Sequence, residues 1–195
     1  MAIIDVNQDI LSGIDKEQQR TFFDTVTISS GSNTISAGTQ SDIWTATASK
    51  TLRNSNLSTN GMLPIQFSAV IYRFRIASPG NIIPSNLQAI SENGVFQFYR
   101  NQNELVHECV LADLGNIGGV AGVSEDGLTG TSHAFNFGPG NSDQVKGLLP
   151  FGQIGIAAGM SFRGSVTWSD SVSLSSLTSF ELRFLFDCKL LKPVA

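Results

Sequence analysis

Apolar and polar residues alternate with a period of two over most of the chain from Phe22 onward. The clearest run is the last one. Phe180, Leu182, Phe184, Phe186, Cys188 and Leu190 fall on one side, with Glu181, Arg183, Asp187 and Lys189 on the other. Such alternation predicts a strand with one buried and one wet face. In QFSAVIYRFRIA, Val70, Tyr72, Phe74 and Ile76 share a face opposite Arg73 and Arg75; in SFRGSVTW, Phe162, Val166 and Trp168 oppose Arg163, Ser165 and Thr167. Shorter strand candidates are FFDTVTI (22–28), NTISA (33–37), DIWTATA (42–48), GVFQFYR (94–100), ELVHECVL (104–111) and HAFNF (133–137). Turn-rich segments separate them at 29–32, 54–61 and 78–84, and a glycine-rich tract runs from Gly115 to Gly140. No segment sustains a 3.6-residue period over three turns. Roughly nine short strands with scarcely a helix predict an all-β chain, an antiparallel sandwich, jelly roll or barrel.

The first twenty residues break the pattern. Ile3, Ile4, Ile10, Leu11 and Ile14 stand among acidic and amide residues at spacings partly matching one face of a short helix, which Gly13 weakens. Residues 1–20 are therefore expected to form an N-terminal arm, with these five side chains as subunit-contact candidates. Residues 21–195 are expected to form a single domain, an ordinary length for one all-β core.

Composition narrows the function. Charged residues make up 14% of the 195, against about a quarter in a typical soluble domain. Interface cores are depleted in charge, so a chain covered by neighbours can dispense with it. The net charge is −4, from 12 Lys and Arg against 16 Asp and Glu, with no basic run. Neutralising phosphates requires clustered cations, which argues against direct nucleic-acid binding. MAIIDVNQDI has neither a basic n-region nor a long apolar stretch, so no signal peptide is expected and synthesis is expected in a cytoplasm. The uncharged stretch GLLPFGQIGIAAGMSF is shorter than the roughly 20 apolar residues of a spanning helix and carries Pro150 and four glycines.

Candidate chemistry is sparse, and neither catalysis nor a cofactor is expected. His107, Glu108 and Cys109 evoke an activated thiol, but in a strand His107 and Cys109 share a face and Glu108 points away. His133 is the only other histidine, which leaves a metal site short of ligands. Cys109 and Cys188 are too few and too far apart for a disulfide framework or a paired zinc site, and are expected to be buried reduced thiols. GNIGGVAG looks like a dinucleotide fingerprint but leads into glycine-broken sequence instead of a helix, and is expected to be a long loop. SEDG lacks the alternating oxygen ligands of a calcium loop, and SDSVSLSSLTS (169–179) lacks a nucleophile elbow.

Two segments carry a resemblance. TLRNSNLSTNGMLPIQFSAVIYRFRI (51–76) joins a polar turn, a G-x-L-P step and a long strand. FGQIGIAAGMSFRGSVTW, a serine-rich loop and FELRFLFDCKLLKPV join a strand, a loop and a closing strand with a basic-Pro-Val tail. Together, over about half the chain, they resemble single jelly-roll capsid proteins of small tailless icosahedral bacteriophages. The resemblance implies a jelly-roll sandwich of about eight to nine strands and a capsid subunit that self-assembles into an icosahedral shell in the virion. Its partners would be copies of itself, other capsid proteins such as a penton or spike, and in some members an internal membrane. Many small-virus capsid proteins carry a basic arm, whereas residues 1–20 are net acidic, so shell assembly would rest on protein contacts. A carbohydrate-binding β-sandwich, free or as a phage receptor-binding spike domain, is the alternative. Sugar platforms need exposed aromatic faces. Trp44, Trp168, Tyr72 and Tyr99 are the Trp and Tyr available, with Trp168 and Tyr72 already on core faces.

Overall fold

The computed structural model describes residues 14–29, 33–64, 66–78, 82, 84–101, 103–116, 121–125, 132–136, 153–175 and 179–193. In chain order the strands are β1 (Ile14–Ser29), β2 (Thr34–Ile35), β3 (Thr39–Ile43), β4 (Ser68–Ala77), β5 (Gly94–Arg100), β6 (Glu104–Val110), β7 (Gly115–Asn116), β8 (Ala121–Glu125), β9 (Ser132–Asn136), β10 (Ile154–Ile156), β11 (Phe162–Trp168), β12 (Val172–Ser173) and β13 (Ser179–Pro193). Among the described residues one α-helix, α1 (Pro84–Asn93), runs directly into β5. The chain is all-β, with antiparallel sheets; among the described residues only the short β4–β7 pair is parallel.

Two sheets form the body. One runs β1-β13-β4-β10, with β7 also on β4, and the other runs β3-β11-β5-β6. Leaving aside the short accessory strands, the pairing is nested: β1 with β13, β3 with β11, β4 with β10 and β5 with β6, all antiparallel. The first and last strands carry the longest ladder, from Ile14↔Pro193 to Ser29↔Ser179. Small pairs, β2 with β12 and β8 with β9, complete the set.

Phenylalanine joins the sheets into a sandwich. Phe184 of β13 stacks on Phe96 of β5 at 5.7 Å, Phe74 of β4 meets Phe98 of β5 at 5.0 Å, and Phe186 of β13 meets Phe162 of β11 at 5.5 Å. Trp44 packs edge-on to Phe186 at 5.1 Å, and the rings involved are fully buried. Burying each such side chain stabilises the fold by roughly 1.5–3 kcal/mol, so the aromatic contacts between sheets contribute to cohesion alongside the aliphatic core.

The long alternating strands lie where the pattern places them, with one face reversed. Between Asp187/Cys188 of β13 and Arg73/Ile71 of β4 the register shifts, leaving Tyr72 as an extra residue. Such a bulge flips side-chain parity. Before it, Ala69 and Ile71 are buried and Val70 is only half-buried, contrary to the face expected for Val70 and Tyr72. DIWTATA also departs from a strand. β3 ends at Ile43, Trp44 has φ 63°, and residues 47–49 form a 3₁₀ turn.

The segment after β3 folds back over the free edge of β1. Thr25 N–H donates to Asn54 O, Asn56 N–H to Phe23 O, and Phe23 N–H to Asn56 Oδ1. Gly61 then crosses beside β11 at φ 53°, accepting from Phe162 N–H, and a Cβ there would stand 2.3 Å from Phe162 O. Only glycine combines that φ with that approach.

Candidate functional site

Of the five subunit-contact candidates, Ile14 is the first residue of β1, opposite Pro193. Ile3, Ile4, Ile10 and Leu11 lie outside the described residues. The stretch 14–20, expected as the end of an arm, is the start of β1, and its pairing with β13 ties this end of the chain to the body. The tract from Gly115 to Gly140, expected as a loop apart from the strand candidate HAFNF (133–137), contains that strand as β9 and further structure beside it. Gly115–Asn116 add to β4, and Ala121–Glu125 pair with Ser132–Asn136 in an antiparallel ladder.

The two sheets present two outer walls that differ in chemistry. On the β1-β13-β4-β10 wall, Asp187 stands opposite Thr21 and Arg73, Leu185 opposite Phe23 and Arg75, and Arg183 opposite Thr25 and Ala77. Asp187 Oδ1 accepts from Arg75 Nη2 at 2.5 Å and from Thr21 Oγ1 at 2.6 Å, and both ionic groups are largely buried. Arg183 donates to Thr25 Oγ1 at 3.1 Å and to Arg53 O at 2.7 Å, and its guanidinium lies 4.8 Å from the Phe23 ring centroid. Charge-assisted bonds of this kind fix long side chains that would otherwise be mobile. The result is a rigid patterned wall.

On the β3-β11-β5-β6 wall, Arg163 lies over the Tyr99 ring at 4.0 Å, Tyr99 Oη donates to Gln97 Oε1, and Gln97 Nε2 donates to a Glu108 carboxylate oxygen. β6 is the outer edge, and Val106 is the extra residue of a bulge opposite Phe98 and Tyr99. Leu105 and Val110 are exposed on this wall beside Glu108.

Of the residues singled out for chemistry, His107 and the two cysteines are packed, whereas Glu108 is exposed on the outer wall. His107 stacks on Phe74 at 5.2 Å and 14°, and burial lowers its pKa below the usual 6.5, so the ring is neutral at pH 7. Cys188 is fully buried and Cys109 half-buried; both are free thiols, and burial pushes each up to about 12, where almost no thiolate exists at neutral pH. Burial and, after it, the Asp187 carboxylate raise the Tyr72 phenol. Trp44 and Trp168 are 0% exposed, with Trp168 Nε1 donating to Ile90 O. Trp44 therefore offers no face to a sugar.

Among the described residues no group of three or more His, Cys, Asp and Glu side chains is placed to hold a metal. No described helix is long and apolar enough to cross a membrane. An open recess of about 170 Å³ is lined by Thr45, Asn60, Gly61, Ser161, Phe162 and Arg163. The exposed apolar side chains at Leu52, Leu105 and Val110 were not singled out by sequence. The signal for Leu52 is a lone leucine inside the polar turn TLRNSN; that for Leu105 and Val110 depends on the bulge, which pattern alone does not reveal. No protein-family model, curated protein or solved structure matches the chain.

Proposed function

We propose that the chain is a structural virion protein, a jelly-roll capsid subunit that assembles with copies of itself into an icosahedral shell. The observation that carries this reading is the nested pairing. With the eight main strands numbered along the chain, strand one pairs with eight, two with seven, three with six and four with five, in two four-stranded layers. A long antiparallel ribbon rolled on itself would have this order, which supports a jelly roll of two Greek keys, an architecture of capsid and lectin domains.

Fold alone does not assign function. Composition favours the capsid over the lectin. A charged fraction of 14% suits a surface covered by several neighbours, each contact burying roughly 800 Å² per partner. A sugar-binding platform loses its largest candidate in buried Trp44. With a net charge of −4, shell cohesion would come from protein contacts, with a penton, spike or internal membrane as further partners. Electron microscopy of particles from the source, with mass spectrometry of the copy number of this chain, tests the reading. Many copies per particle are expected. A chain that is absent from particles and strictly monomeric when concentrated would overturn it.

A further inference from the structure

Charge is segregated between the two walls of the sandwich. The β1-β13-β4-β10 wall faces outward with Arg73, Arg75, Arg183 and Lys189 against Glu181 and Asp187, a cationic excess on a chain of net charge −4. The β3-β11-β5-β6 wall carries Asp42 and Glu108 against Arg163, with the self-neutralising Arg100–Glu104 pair at its end, and so has a slight acidic excess among the described residues.

Exposed apolar groups follow the same division. Three large hydrophobic side chains are exposed among the described residues: Leu52 at 85%, Leu105 at 46% and Val110 at 37%. Leu52 sits beside the basic wall, in the turn whose next carbonyl, Arg53 O, accepts from Arg183. Leu105 and Val110 flank Glu108 on the acidic wall. Each wall thus offers exposed apolar surface next to charge of the sign opposite to the other wall.

We propose that these walls are the two halves of one head-to-tail interface, the basic wall of one copy docking on the acidic β6 side of the next. This deepens the shell-subunit reading and rests on it. The two halves lie on opposite faces of one sandwich, so the contact is heterologous, and a rotation at each step that divides the full turn closes it into a ring. Complementary potentials steer such an encounter and fix its register, while apolar side chains at its centre hold it. Packing the basic wall on its own copy would set arginines against arginines. An anionic lipid surface or a nucleic acid would engage the basic wall but leave the acidic wall, with its exposed Leu105 and Val110, without a role. A second copy uses both.

Two charge reversals in the full chain test this, with assembly followed by light scattering and sedimentation over a concentration series at low salt. Glu108→Lys and Lys189→Glu are each expected to raise the concentration of half-assembly about tenfold, because each sets like charges face to face. The double variant restores opposite signs and is expected to return to within about threefold of wild type. Should Lys189→Glu lose its fold by circular dichroism, Leu52→Asp takes its place on the same wall, with the same tenfold loss expected. Assembly of the wild type that is indifferent to the reversals, or a double variant worse than either single, would overturn the head-to-tail contact while leaving the shell reading intact. So would a Lys189→Glu chain that assembles normally but no longer binds phosphatidylserine vesicles or single-stranded RNA retained by wild type. A wild type that stays monomeric throughout would bring down the shell reading and this contact together.

Discussion

At the scale of single residues, the least expected feature is a carboxylate on the core side of β1. Asp24 lies between Phe22 and Val26 on the inward face, opposite Phe184, and is 0% exposed. Its tolerance comes from complete pairing. Lys50 Nζ donates to both carboxylate oxygens at 2.8 and 2.9 Å and to Thr25 O at 2.8 Å, while Trp44 N–H donates to Oδ2 at 2.8 Å. The pair pins the chain after β3 to the first strand, where Trp44 must adopt φ 63°. Removing one member of a buried pair strands the other, at a cost of about 3–5 kcal/mol. Lys50→Met is therefore expected to lose about 3 kcal/mol in urea unfolding at pH 7, and Asp24→Asn/Lys50→Met to recover at least half, since a neutral amide still accepts from Trp44. A loss below about 1 kcal/mol for Lys50→Met would mean that solvent already screens the carboxylate. His107 gives a second prediction, with a definite sign. Burial against Phe74 lowers its pKa, so around the usual 6.5 the unfolded chain binds more protons than the native one. Stability contributed by the neutral ring is then full above the unfolded pKa and falls as pH drops through 6.5 toward the lower native value. Urea midpoints between pH 7.5 and 5 should show a decline that His107→Phe reduces.

At the scale of elements, the turn that carries the chain from the β1 edge to β11 depends on Gly61. Its φ of 53° is reachable by other residues at modest strain, but a Cβ 2.3 Å from Phe162 O forces backbone to move. Gly61→Ala is expected to destabilise by about 2 kcal/mol or more, read as a lower urea midpoint with an unchanged slope. A loss of a few tenths would mean that β11 shifts freely. The elements legible in sequence are those whose two faces differ. β13 and β11 alternate cleanly in sequence because one side meets the opposite sheet, while the outer side is mixed, with Ser165, Leu185 and Asp187 buried there as well. β10 is only three residues, Ile-Gly-Ile, too short to show a period. The helix α1 spans ten residues, and the fully buried members among its described side chains are Asn86, Ile90 and Ser91. Two of these are polar: Asn86 exchanges hydrogen bonds with the backbone of Ser175 and Ser91 Oγ donates to Gln88 O within the helix, so hydrophobic spacing cannot announce the helix. The bulges at Tyr72 and Val106 are likewise invisible, because an extra residue in one strand is defined only by its partner. That is why Leu105, Glu108 and Val110 emerged as one wall only once β5 and β6 were paired. The acidic, apolar arm candidates could be listed from sequence, but what they touch could not.

At the scale of the whole molecule, the sandwich has abundant internal cohesion and little surface charge, and these properties have a joint consequence. Aromatic rings interlock within the single chain, so on the proposed reading assembly would add to a stability that the core already supplies. Anything that binds the native state alone stabilises it by mass action, and in the proposed shell a second copy would be such a ligand. The melting temperature of a self-associating subunit must then rise with its own concentration, whereas that of an isolated domain does not. Raising the concentration from near the dissociation constant to about a hundredfold above it adds about 2–3 kcal/mol. For a domain of this length each kcal/mol is worth about 2–4 °C, so a rise of roughly 5–10 °C is expected in differential scanning calorimetry. The sign of the salt dependence separates the forces involved. If opposite charges on the two walls contribute to the contact, the concentration-dependent part shrinks between 20 mM and 500 mM salt as screening shortens their reach, while the dilute-limit melting temperature, set by the apolar core, changes little. A concentration dependence that persists at high salt would assign the contact to the apolar side chains at Leu52, Leu105 and Val110. Absence of any concentration dependence at either salt would leave the scarcity of charge without its explanation in assembly.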